Sequence, residues 1–222
     1  MGLIDLSSLF AVSDEQMMGR VRAHDDAEAF GKLVSKWQGT VQRLCVRMLG
    51  DVHRGEDLAQ EAFVRLYAKR RQYEPSARFS TYLWRVALNL CYDELRRMKR
   101  RPETSLDVET ADGEEGFSFL DAHAADDLPP NDAMESREQA EIVRVALQKL
   151  PEHYRSVVVL RHFENLKFRE IAEVLDIPEG TVKSRMAEGL DLLHQILTRA
   201  FRAETIQKPP GPTPKRREIL VL

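Results

Sequence analysis

The segment FREIAEVLDIPEGTVKSRM, residues 168–186, holds two helical patterns separated by a turn signal. Ile171, Ala172 and Leu175 share one face at helical spacing. Asp176-Ile177-Pro178-Glu179-Gly180 breaks the pattern, with Gly180 placed to adopt positive φ. A second helix starts at Thr181, runs to about Arg202, and buries Val182 and Met186. This order predicts a helix-turn-helix. It leaves Thr181, Lys183, Ser184 and Arg185 at the start of the second helix, the part of this motif that enters the major groove. Basic and hydroxyl side chains there suit phosphates and base edges. Farther along, Glu188 and Asp191 lie on the exposed side, where phosphates repel them. The expected contact surface is therefore the first one to two turns. Taken alone, the segment also fits a plain helical hairpin with solvated charges.

Upstream, helical periodicity begins near Ala133, with Ile142, Val143, Ala146, Leu147 and Leu150 on one stripe. Pro151 stands where the first turn of the next helix begins. Tyr154, Val157, Val158 and Leu160 continue that helix. Before Ala133 the pattern stops. From Pro102 to Ser136 there are 11 Asp/Glu and no Lys/Arg, with Gly113, Gly116 and Pro129-Pro130 among them. Such a stretch self-repels and extends, so a flexible acidic linker is expected. The short apolar patch Phe117–Leu120 is the exception within it.

The N-terminal half is basic where it meets this linker. From Arg65 to Arg101 there are 11 Lys/Arg against 3 Asp/Glu, which the overall net charge of −3 conceals. Three helices are expected here. Phe30, Leu33, Val34, Trp37, Val41, Leu44, Cys45 and Met48 mark the first, which Gly50-Asp51 ends. The second runs from about Gly55 to Arg71 on Leu58, Ala59, Ala62, Phe63, Leu66 and Tyr67. Pro75 breaks the chain, and Ser80 caps a third helix with Leu83, Val86, Ala87, Leu90, Cys91 and Leu95 inward.

No strand-like alternation occurs, so the fold class is all-α, in two helical domains joined by a linker. The expected boundaries are 14–101, a linker at 102–132, a second domain at 133–202, and a tail at 203–222. That tail is Pro-rich, then basic at Lys215-Arg216-Arg217, then apolar at Ile219–Leu222. Two cysteines cannot build a disulfide framework and are read as small buried hydrophobes in a reducing compartment. No apolar run approaches the ~18 residues a membrane span needs, and no signal peptide is evident. A cytoplasmic protein without membrane insertion is expected. The six histidines are scattered. No triad, metal cluster or phosphate-binding glycine loop is evident, so neither catalysis, nor a metal, nor a cofactor is expected.

Two helix faces remain to be explained. On the second helix Asp57, Gln60, Glu61 and Val64 share the side opposite the core. They resemble a protein-docking face, although a solvated face is the commoner origin of such a set. On the third helix Tyr82, Arg85, Asn89, Tyr92, Arg96 and Arg100 form a stripe, with Trp84 beside it and Arg78 and Phe79 just before. Aromatics among arginines suit unpaired bases, which offer π-faces and a charged backbone. Tyr82 and Trp84 completing a core beneath solvated arginines is the competing account.

Taken together, these segments resemble a known family. DLAQEAFVRLY resembles the clamp-binding helix of sigma-factor region 2, and RFSTYLWRVALNLCYDELRR the adjoining promoter-melting segment. LPEHYRSVVVLRHFENLKFREIAEVLDIPEGTVKSRM resembles region 4 of the extracytoplasmic-function (ECF) group. The two matches stand in the family's order and spacing over roughly residues 14 to 200. The resemblance implies a subunit of RNA polymerase that initiates transcription and catalyses no bond change. It implies that Asp57, Gln60, Glu61 and Val64, with Leu58 and Phe63 supporting them, engage the clamp coiled coil of core polymerase. Ser76, Ala77, Arg78 and Phe79 would form a pocket for a flipped −10 base. Tyr82, Trp84, Arg85, Asn89 and Arg96 would contact melted −10 DNA. Thr181, Lys183, Ser184 and Arg185 would read −35 DNA, while apolar residues of region 4 grip the polymerase flap. An anti-sigma factor is implied as a further partner. Two departures stand out. Ala187-Glu188-Gly189-Leu190 replaces the family's aromatic or basic residue and Arg-Ala-Arg, and tryptophan stands at 84 with tyrosine at 82.

Overall fold

The computed structural model describes residues 12–74, 78–100 and 140–207, without the side chains of 201–207. The described residues are helical throughout their ordered elements. The N-terminal half holds α1 (Asp14–His24), α2 (Ala27–Leu49), α3 (Val52–Ala68), a single 3₁₀ turn at Arg70–Gln72, and α4 (Phe79–Arg100). The C-terminal half holds α5 (140–148), α6 (Glu152–His162), α7 (Phe168–Leu175) and α8 (Glu179–Gln207). The expected linker at 102–132, residues 133–139 of the expected second domain and residues 208–222 of the expected tail lie outside the described residues, and α8 continues to Gln207, past the end expected near Arg202.

Local chemistry sets the boundaries. Ser13 and Gln16 form a reciprocal capping box at the start of α1. Asp26 and Asp51 accept the backbone N–H of Ala29 and Arg54 and so cap α2 and α3. Gly50 ends α2 with φ of +81°, a conformation that costs glycine little. Ser80 does not cap α4. The helix already begins at Phe79, so Ser80 lies inside its first turn. Gly180 likewise lies inside α8, and the left-handed residue of the turn is Asp176, with φ of +55°. An aspartate tolerates that region better than most side chains, so the turn did not need its glycine.

The N-terminal bundle closes around Leu33, Val41, Leu44 and Met48 of α2, Leu58, Ala62 and Leu66 of α3, and Leu83, Ala87 and Leu90 of α4. Met18 and Val21 seal it from α1. Cys45 and Cys91 meet inside it, both fully buried, and the contact with Cys45, followed by burial, pushes the Cys91 thiol well up. α2 and α3 approach closely. A Cβ on Gly55 would sit 2.5 Å from the Val46 side chain and 2.8 Å from its backbone nitrogen. In the C-terminal half Leu147, Leu150, Val157, Leu160, Ile171, Val174, Val182 and Met186 fill the core.

The two halves share one continuous buried apolar cluster. One set of their polar contacts gathers at the C-terminal end of α2, whose last carbonyls lack helical partners. Gln148 donates to the Arg47 carbonyl at 2.7 Å, and Arg144 to the Gly50 carbonyl at 2.7 Å. Arg155 donates to the Met48 carbonyl, to Gln148 Oε1 at 2.6 Å, and to the Gln148 and Leu150 carbonyls. Cationic groups at a helix C-terminus also oppose its dipole favourably. Burial holds the Arg155 guanidinium below its ordinary pKa, and its Nε has no hydrogen-bond partner.

Candidate nucleic-acid interface

Three surfaces carry the functional expectations. On α3, Asp57, Gln60 and Val64 stand outward, and Val64 is 67% exposed. Glu61 is half-buried and pairs with Arg65 at 2.6 Å. Leu58, Ala59, Ala62 and Phe63 face the core, which fixes the rotation of the helix. Beside this face a cleft of about 470 Å³ opens between α2 and α3, lined by Val34, Gln38, Gln42, Glu56, Ala59, Gln60 and Phe63. Gln42 bridges it by donating to Glu56 at 2.5 Å. The α2 contribution went unread in the sequence because Gln38 and Gln42 look like ordinary solvated positions.

The α4 surface divides the expected −10 residues. Phe79 is fully buried, edge-on to Trp37 and Tyr73. Trp84 is 2% exposed and meets Trp37 edge-on at 5.7 Å. Both belong to the core of this structure, where neither ring is open to solvent. Burying rings of this size contributes roughly 1.5–3 kcal/mol each to the bundle. Tyr82 is half-buried and leans on Tyr73 at 5.6 Å. Arg85, Asn89 and Arg96 are exposed, and Ser76 and Ala77 lie outside the described residues. At the far end of α3 and α4, Arg54 grips both Glu94 oxygens at 2.9 Å and Arg97 adds a third contact at 2.7 Å. Arg54 first, and Arg97 with it, hold the Glu94 carboxyl below its usual range.

The C-terminal half covers part of this surface. Arg78 pairs with Glu170 of α7, and Arg85 donates to the Glu173 carbonyl at 2.5 Å. The Tyr92 hydroxyl donates to Ser156 at 2.7 Å, and Lys99 pairs with Glu152 at 2.6 Å. Four cationic or aromatic groups of the α4 stripe and its flanks are thus engaged by α6 and α7.

On α8, Val182 and Met186 face inward and Gly180, Lys183, Ser184, Ala187, Glu188 and Asp191 face outward. Lys183 pairs with Glu179 at 2.7 Å, and the Ser184 hydroxyl donates to the Thr181 carbonyl at 3.1 Å. Thr181 and Arg185 are half-buried at the flank. Glu188 accepts a hydrogen bond from the Tyr154 hydroxyl of α6, which raises the phenol's pKa. Among the described residues no helix is long and apolar enough to cross a membrane.

Comparison with known families accounts for both halves. Residues 33–101 match Sigma-70 region 2, and residues 140–193 match Sigma-70, region 4. The chain belongs to the sigma-70 family. Its curated relatives place this sigma factor in the ECF group. It is 41% identical over 172 residues to "ECF RNA polymerase sigma factor SigW" of Bacillus subtilis, covering 78% of this chain and 90% of that protein. It is 35% identical over 190 residues to "RNA polymerase sigma-H factor" of Pseudomonas aeruginosa, covering 85% and 96%. Among solved structures, the sigma factor resembles CnrH, in a complex with the cytosolic domain of CnrY, with a TM-score of 0.59 at 20% identity, over 84% of this chain and 97% of that one. It resembles the sigma factor RpoE of Bartonella quintana, in a complex with the anti-sigma factor NepR, with a TM-score of 0.59 at 16% identity, over 78% and 98%. At these identities the two structures establish a shared fold.

Proposed function

We propose that this sigma factor binds core RNA polymerase and directs promoter-specific initiation of transcription. One observation carries this reading, the presence of region 2 and region 4 in order on a single chain. A duplex-binding regulator acting alone would have no use for region 2. The protein catalyses no bond change; the polymerase supplies the chemistry. It works in the cytoplasm, where its core partner and promoter DNA are found.

The outward face of α3 docks on the clamp coiled coil. Asp57, Gln60 and Val64 supply the contact, Glu61 stands at its edge, and Leu58 and Phe63 hold the helix in register. An exposed valine ringed by polar groups is the kind of small apolar anchor that an interface centre uses. Arg78, Tyr82, Arg85, Asn89 and Arg96 face melted −10 DNA, and Thr181, Lys183, Ser184 and Arg185 face −35 DNA. The domain boundaries follow from these roles: 14–101 binds polymerase and the −10 element, 102–132 links, and 133–202 reads −35. Apolar residues of the C-terminal half meet the flap.

The packing of α7 over Arg78 and Arg85 supports a sequence of events. Both guanidiniums stay exposed to solvent, so phosphates compete directly with Glu170 and the Glu173 carbonyl, and entry of −10 DNA loosens the packing of the halves. An anti-sigma factor that favours the packed state would keep the protein inactive. Two solved structures of this fold are complexes with such a factor or with another protein's cytosolic domain. Run-off transcription with bacterial core polymerase and a promoter library tests the function. Core-dependent, promoter-selective transcripts are expected. DNA binding that needs no core, or core binding without initiation, would overturn it.

A further inference from the structure

The outward ridge of α8 runs through Gly180, Ser184, Ala187, Glu188 and Asp191, all exposed. From Gly180 to Glu188 it spans roughly 12 Å at the helical rise, about the width of the major groove. Its first three members are small and allow close approach to the groove floor. Lys183 is drawn back to Glu179 and Ser184 to its own helix. Glu188 is therefore the longest polar side chain on the ridge. Asp191, nearly a full turn farther on, has one carbon fewer of reach.

Glu188 is also held in place. Gly189 lets α8 lie close against α6, and a Cβ there would sit 3.3 Å from Tyr154 Cβ and 3.3 Å from Val158 Cγ2. That approach brings the Tyr154 hydroxyl to one carboxylate oxygen of Glu188. A carboxylate accepts through both oxygens, so the phenol orients it without exhausting it. Among the described residues no lysine or arginine pairs with Glu188. A merely solvated glutamate has no need of a neutral donor that fixes its direction.

The geometry points to Glu188 as a base-reading residue of the −35 element, accepting a hydrogen bond from the N4 amino group of a cytosine. Glutamate in the major groove accepts from cytosine N4, whereas every phosphate repels it. Lys183 and Arg185, on either side of the ridge, supply the phosphate attraction that offsets this repulsion. Tyr154 is a positioning residue, acting only through Glu188. The inference rests on α8 being the −35 helix, and it replaces the expectation that Glu188 only weakens DNA binding.

The test uses the full chain reconstituted with bacterial core polymerase, on promoters randomised across −35. Open-complex formation is selected and sequenced. The wild-type protein should prefer cytosine at one position, by roughly tenfold or more. Glu188→Ala should flatten that position alone. Glu188→Gln should move the preference toward adenine, whose N6 and N7 match an amide. Tyr154→Phe should weaken the preference without changing which base is chosen. If Glu188→Ala instead strengthens binding evenly over all bases, the carboxylate is only repulsive and the inference fails. If Lys183→Ala and Ser184→Ala leave both −35 selection and affinity unchanged, α8 is not the promoter helix, and that reading fails with it.

Discussion

Gly55 admits no side chain, because Val46 of the preceding helix occupies the space a Cβ would take. Gly55→Ala should therefore push α3 off α2 and cost about 1–3 kcal/mol, the usual penalty for overpacking. Urea unfolding checks this, with the midpoint expected to fall at unchanged slope. One turn on, Asp57 and Gln60 touch solvent. Asp57→Ala and Gln60→Ala should leave the unfolding free energy within about 0.5 kcal/mol of wild type. Core-polymerase binding, followed by fluorescence titration, should weaken about tenfold for the pair. A folding defect in either single variant would show that the face is structural. Phe79 and Trp84 mark where single residues resist reading. An aromatic at the edge of a helical stripe is compatible with core or ligand, and only the opposing Trp37 decides it.

Helices were the most legible level. Among the described residues, every segment with apolar residues at helical spacing is a helix, and the turn at Asp176–Pro178 falls where the pattern breaks. The ends were less legible, as at Phe79 and Gly180, because a cap depends on backbone conformation rather than residue type alone. Least legible was the end of α2. Its carbonyls are satisfied by Gln148 and Arg155 from about a hundred residues away, and no periodicity encodes such a pairing. Arg155→Ala should leave the Met48 and Leu150 carbonyls buried without donors, at about 1–3 kcal/mol per group. Arg155→Met, which restores volume but no donor, should recover less than half of that loss. Small-angle scattering should show both variants more extended than wild type, since these bonds join the two halves.

At the scale of the whole molecule, Glu164 couples the packing of the halves to pH. Its carboxylate lies against Arg47 of α2 at 3.4 Å, and the Arg43 charge of α2 also acts on it. Arg47 also stacks over Phe163 at 4.2 Å. Burial outweighs this pairing and pushes Glu164 up to about 7. Separation of the halves would expose it and return it to the ordinary carboxylate range. The packed state therefore holds a proton that the open state lacks. Its advantage is complete at pH values below the ordinary carboxylate pKa and is lost as pH rises through about 7. Between pH 6 and pH 8 the packed-to-open ratio should fall roughly tenfold. Energy transfer between dyes on α3 and α8 measures this. Glu164→Gln should flatten the profile, and a profile unchanged in that variant would assign the proton elsewhere.

The grip of α7 on Arg78 and Arg85 also bears on where idle molecules spend their time. A genome offers millions of sequence-independent sites to any exposed cluster of arginines. The apparent affinity for them scales with the fraction of molecules whose cluster is uncovered. A chain that keeps two of its guanidiniums paired with its own C-terminal half lowers that background. A larger share of the copies made then stays available to polymerase.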